Sequence, residues 1–205
     1  GHDLAGVYGS SEFVGWYNGH PDQKHLAPKL HSKSMSIIGV GNVALDIARV
    51  VCLPTSELKQ TDIADHALHA IAQRGIEQVN IVARKGPAQA AFTPKELQQL
   101  LDHPALNLEI SPADLELDAN TEAWLQWPEN SEAKENIALL RKIPQSKSDG
   151  WKTIRFVFNS NPEKIVGDEQ AVSGLQVGIN KTYFDSYQQL QIETSGENKL
   201  IDCGI

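Results

Sequence analysis

Gly39 and Gly41 close the apolar run 35–39 and Ala44 follows three residues later, at the start of a second apolar stretch, 43–53. Strand, glycine turn and helix in immediate succession can hold an anion. A helix N-terminus offers unpaired amides and a partial positive charge, worth about 0.3–1 kcal/mol per contact at exposed sites. Gly39 permits the tight turn, Gly41 lets a phosphate reach the backbone, and Ala44 lets the helix pack closely on the strand. G-x-G-x-x-A in this context points to the pyrophosphate of a dinucleotide. Without it, the same spacing is only a tight turn.

A second strand, 78–84, ends in "VARKG". Versions of this unit that bind NAD place an acid there for the ribose hydroxyls; this chain has Arg84 and Lys85 instead. Two cations suit the 2′-phosphate of NADP. A solvated basic pair after a strand is the other reading.

Other reactive groups are sparse. Asp46 is a lone acid inside an apolar helix, which requires a partner or a cavity. Asp62, His66 and His69 can share one helix face, but a solvated face explains them and no metal site is assigned. No Ser/His/Asp or Cys/His grouping stands out.

The elements that position these residues read as an α/β chain. Residues 1–34 look irregular, with an aromatic cluster at Phe13, Trp16 and Tyr17. Thr61 is the expected cap of a helix over 61–74. "TPKELQQLLDH" opens as a capping box, Thr93 with Glu96, and Pro94 at the first helical position. "LNLEI" reads as a third strand and "AKENIALLRKI" as a helix, followed by a Ser/Lys/Asp/Gly linker at 145–150. "TIRFVFN", "VSGLQVGINKTYF" and "LQIETS" alternate in polarity and read as three antiparallel strands. The expected fold is a Rossmann-like parallel sheet flanked by helices, with an additional antiparallel β-meander.

The 205 residues are 40% hydrophobic and carry a formal net charge of −8, which argues against nucleic acid or an anionic membrane as partner. No apolar run approaches the roughly 18 residues of a membrane span. Cys52 and Cys203 stand alone, the pattern of reduced thiols, and place the chain in the cytoplasm. The first residue is not Met and the last, "LIDCGI", reads as mid-strand, so both ends look truncated.

"FVGWYNG" at 13–19, "GVGNVALDIARV" at 39–50, "TDIADHAL" at 61–68 and "ARKGPAQAAFTPKEL" at 83–97 resemble adrenodoxin reductase and the bacterial ferredoxin–NADP reductases of that family. The similarity runs over residues 1 to about 100 and then fades to "SGLQV" and "DCGI". The resemblance implies a flavoprotein moving electrons between NADPH and a ferredoxin-type iron–sulfur protein. It further implies that 1–205 is the NADP-binding domain alone, inserted in the full-length protein within a covalently continuous FAD domain. That domain would be faced by residues 1–34, and FAD itself is not expected in this fragment. By the same resemblance Val40, Gly41, Asn42 and Val43 contact the pyrophosphate region, Arg84 and Lys85 the 2′-phosphate, and Glu96 the adenosine ribose side. Asp46 falls where the family keeps an acid near the nicotinamide–flavin junction, which implies a catalytic role; a buried ion pair is the other reading. Lys85 replaces the usual second arginine and loses its bidentate geometry. The NADPH domain of a glutamate-synthase-type flavoprotein shares the β-α-β plan but usually has Asp-Thr where this chain has Asn42-Val43. A non-catalytic NADP-binding module is a third reading.

Overall fold

A computed structural model describes residues 3–143, 151–168 and 171–205. The strands β1 (Ser34–Ile38), β2 (Gln78–Val82), β3 (Leu106–Ile110) and β4 (Lys152–Val157) form one parallel sheet in the order β1-β2-β4-β3. The connections carry the helices: α2 (Asn42–Cys52), α3 (Thr55–Leu58) and α4 (Asp65–Ala72) before β2, and α5 (Pro94–Leu101) before β3. Between β3 and β4 come α6 (Ala119–Trp124) and α7 (Ser131–Leu140). A second sheet, antiparallel, is made of β5 (Ser160–Gly167), β6 (Val172–Phe184) and β7 (Leu190–Asp202).

The fold class agrees with the sequence reading, and four details do not. The stretch expected to be irregular contains α1 (Ser10–Tyr17), whose Phe13, Trp16 and Tyr17 are 2–3% exposed in the main core. Their i, i+3, i+4 spacing is a helical face. They pack into the main core of this chain. Thr61 caps no helix: its hydroxyl donates to the Leu58 carbonyl at 2.7 Å, and α4 begins only at Asp65 behind Ala64. "TIRFVFN" supplies β4, which inserts between β2 and β3 in the parallel sheet; alternating polarity reports a strand, not the direction of its neighbour. The meander instead begins with β5, hidden in the sequence because Pro162 interrupts the ladder at a bulge. The linker expected at 145–150 lies outside the described residues.

The main core fills the space between the parallel sheet and its helices, with Ala48, Val51, Cys52, Ala67, Ile71, Val79, Leu97 and Ile154 fully buried. Burial pushes the Cys52 thiol up to about 12. Both cysteines are free and buried. Among the described residues no helix is long and apolar enough to cross a membrane.

Candidate functional site

β1 and β2 run side by side in register, Ile38 opposite Val82, so the segments leaving them emerge at the same edge of the sheet. The glycine turn follows β1, and Arg84 lies two residues beyond Val82. The Gly39 amide donates to the Val82 carbonyl at 2.9 Å, tying the two exits together. Ligands of open α/β sheets bind at this carboxyl edge.

Gly39 has φ +123°, a conformation L side chains rarely adopt, so only glycine turns the chain here without strain. Gly41 is extended, and a Cβ at either glycine would meet nothing within 4 Å. Ala44 is buried at 6% exposure, as the close packing of α2 on the strand requires. The amides of Gly41 and Val43 have no acceptor among the described residues. The chain therefore presents open space in front of unpaired donors at the N-terminus of an eleven-residue helix.

The segment 90–93 buttresses this turn. Ala91 donates to the Val40 carbonyl at 2.9 Å, and the Thr93 amide donates to Asn42 Oδ1 at 2.8 Å. The second bond changes the expected capping box. Thr93 Oγ1 accepts from the Glu96 amide at 3.4 Å, but the reciprocal bond is absent because Asn42 has taken the Thr93 amide. The Glu96 carboxylate has no partner among the described residues and sits on the half-buried first turn of α5.

Arg84 is exposed and Lys85 half-buried, and neither has a carboxylate within ion-pair distance among the described residues. Their backbone is nevertheless fixed. The carbonyls of Ala83, Arg84 and Lys85 accept from the Ser160 amide (2.8 Å), Asn180 Nδ2 (2.9 Å) and the Asn159 amide (3.0 Å). Two free cations on a fixed loop beside an anion-ready turn fit a dinucleotide bearing a 2′-phosphate.

Asp46 has the partners that an acid in an apolar helix needs. Its Oδ2 accepts from the Tyr17 hydroxyl at 2.5 Å and its Oδ1 from Arg49, with just over a third of the Asp46 side chain exposed. Burial, then the bond to Asp46, push the Tyr17 phenol well above its usual range. Of the possible metal group, His66 bonds the Trp16 carbonyl at 2.9 Å and His69 contacts Gln73. Among the described residues no cluster of acids, histidines or cysteines could hold a metal.

The structure thus brings Gly39, Val40, Gly41, Asn42, Val43, Arg84 and Lys85 to one edge, with Glu96 on the helix that abuts it. Sequence reasoning missed Tyr17 as the partner of Asp46, and Asn159 and Asn180 as anchors of the basic loop. Asn180 lies ninety-six residues from Arg84 and Asn159 seventy-four from Lys85, so no local pattern links them. A mostly apolar cavity of about 210 Å³ between α1, β1 and the second sheet is separate from this charged edge.

No protein-family profile matches the chain. An NADPH:adrenodoxin oxidoreductase of Arabidopsis thaliana is 37% identical over 100% of this chain and 44% of its own length. The NADPH-ferredoxin reductase FprA of Mycobacterium tuberculosis is 36% identical over 97% of this chain and 43% of its own length. A solved structure of that FprA in complex with NADPH superposes with a TM-score of 0.90 at 36% identity, covering 100% of this chain and 44% of that one. The chain therefore spans less than half the length of the relatives it matches. Similarity extends over the whole chain, past residue 100 where the motifs faded.

Proposed function

We infer, from similarity along its whole length to part of the NADPH-ferredoxin and NADPH:adrenodoxin reductases, that this chain is the NADP(H)-binding domain of a flavin-dependent reductase of that type. The complete protein passes electrons between NADPH and a ferredoxin-type iron–sulfur protein, with FAD held by a domain continuous with residues 1–205. The observation that carries the reading is the pair Arg84 and Lys85, free of carboxylate partners among the described residues and level with the glycine turn.

In this reading the amides of Gly41 and Val43 bind the pyrophosphate, with Val40 and Asn42 shaping the turn. Arg84 and Lys85 take the 2′-phosphate, and Glu96 faces the adenosine ribose. When bound, the nicotinamide supplies the hydride chemistry. Asp46 is held in one orientation by Tyr17 on one carboxylate oxygen and Arg49 on the other. The two free buried cysteines fit a reducing compartment, here assigned as the cytoplasm.

Calorimetric titration of the chain with NADP⁺ and NAD⁺ tests the assignment. NADP⁺ should bind at least about tenfold more tightly, a difference of about 1.4 kcal/mol. Equal affinities would refute it.

A further inference from the structure

The last ladder position of β2 is Val82, so Arg84 and Lys85 stand beyond the parallel sheet and cannot be held by it. The second sheet and the turn leading into it hold them. Of the three successive carbonyls so anchored, Ala83 and Lys85 are fixed by backbone amides of Ser160 and Asn159, which no side-chain substitution removes. Arg84 alone is fixed by a side chain, Asn180 Nδ2 at 2.9 Å.

We propose that Asn180 is the positioning residue for recognition of the 2′-phosphate: it fixes the Arg84 peptide and so aims a guanidinium that no other described residue restrains. The inference rests on the cofactor reading above. The Arg84 side chain is exposed and has no partner among the described residues, so the direction of its Cα–Cβ bond is set by the backbone. Asn180 itself is 8% exposed, and its own amide donates to the Asn159 carbonyl at 2.7 Å. Asn159, in turn, has the left-handed φ of 51° and donates through Nδ2 to Asp114 Oδ1 at 3.3 Å. The two asparagines thus form one bracket, rooted in β6 and in the β4–β5 turn, around the backbone of the basic pair.

Asn180 is an expensive way to fill a strand position. Its Oδ1 is buried without a partner among the described residues, a penalty that a leucine of similar size would not carry. The side chain gives up that acceptor to place one donor on the Arg84 carbonyl. A residue kept only for packing has no need of the trade.

Adenosine 2′,5′-bisphosphate and 5′-AMP differ only at the 2′ position and serve as probes. Calorimetric titration of both ligands compares the wild-type chain with Asn180→Leu, Asn180→Thr and Arg84→Ala. Asn180→Leu should weaken the bisphosphate about three- to tenfold while leaving 5′-AMP unchanged, because one neutral hydrogen bond is lost at a distance from the ligand. Asn180→Thr, which keeps a hydroxyl donor, should fall between Leu and wild type, and it carries the same comparison if the Leu variant does not fold. Equal losses for both probes, or no loss in either Asn180 variant while Arg84→Ala keeps its selective loss, would overturn the role of Asn180 and leave the cofactor reading standing. Absence of a 2′-selective loss in Arg84→Ala would overturn both.

Discussion

Replacing Arg84 by alanine isolates the energy with which this chain chooses its nucleotide. The side chain is exposed and has no ion-pair partner among the described residues, so the fold should lose no more than about 0.5 kcal/mol. Against a 2′-phosphate the guanidinium makes a charge-assisted hydrogen bond contributing roughly 1.5–3 kcal/mol. At about 1.4 kcal/mol per decade, Arg84→Ala should weaken NADP⁺ roughly ten- to a hundredfold. NAD⁺ carries a hydroxyl at that position and should change little. Lys85→Ala should cost less than Arg84→Ala, since an ammonium is a point charge without a planar fork. Salt supplies a second reading of the same term: the Debye length shrinks from about 10 Å at 0.1 M to about 3 Å at 1 M, so the wild-type preference should shrink while the already flat Arg84→Ala responds little. Calorimetry with both nucleotides at both ionic strengths decides it. Equal losses for NAD⁺ and NADP⁺ would show that Arg84 serves the pyrophosphate or the fold, and the reasoning would fail.

The two glycines should separate stability from binding. Gly39→Ala forces a side chain into φ +123° and should cost about 1–3 kcal/mol, visible as a lowered Tm. Gly41→Ala meets no such strain and should melt like wild type, yet weaken both nucleotides by occupying the phosphate's approach; unchanged binding would remove Gly41 from the site. Tyr17 gives a pH signature. Its phenol ionises above the ordinary value of about 10 in the folded chain, so the unfolded chain loses its proton first. The stabilisation is therefore complete below about pH 10 and is lost as pH rises from there. Tyr17→Phe should flatten the fall of Tm between about pH 9.5 and 11, and an unaltered profile would show that Tyr17 titrates normally.

The acidic stretch between residues 109 and 135 shows how tertiary contacts re-sort a composition. Read as sequence, it carries eight acids against Lys134 and repels an acidic partner. In the folded chain Glu109 pairs with Arg155 and Glu122 with Arg141, while Asp118 caps α6. Burial holds Asp114 above the usual carboxylate range. Glu116, Glu129, Glu132 and Glu135 stay exposed without an ion pair among the described residues.

What the sequence determined by itself is local. The strand–glycine–helix unit at 35–53, the missing acid after the second strand and the cations in its place are written in consecutive residues, because a turn's φ and a helix's free amides depend on few neighbours. Apart from β5, which Pro162 hid, strand existence was legible for the same reason, through alternation and apolar runs. What only the tertiary structure decided is pairing. The alternation of "TIRFVFN" could not tell whether β4 would join a parallel or an antiparallel sheet, since both bury every second side chain. The partner of Asp46 came from α1, twenty-nine positions away, and the anchor of Arg84 from β6, ninety-six positions away. The Glu96 half of the capping box was displaced by Asn42, fifty-one residues before the Thr93 amide it engages. Contacts at such separations are fixed when the sheets and helices close on a common core, and no window of sequence contains both partners.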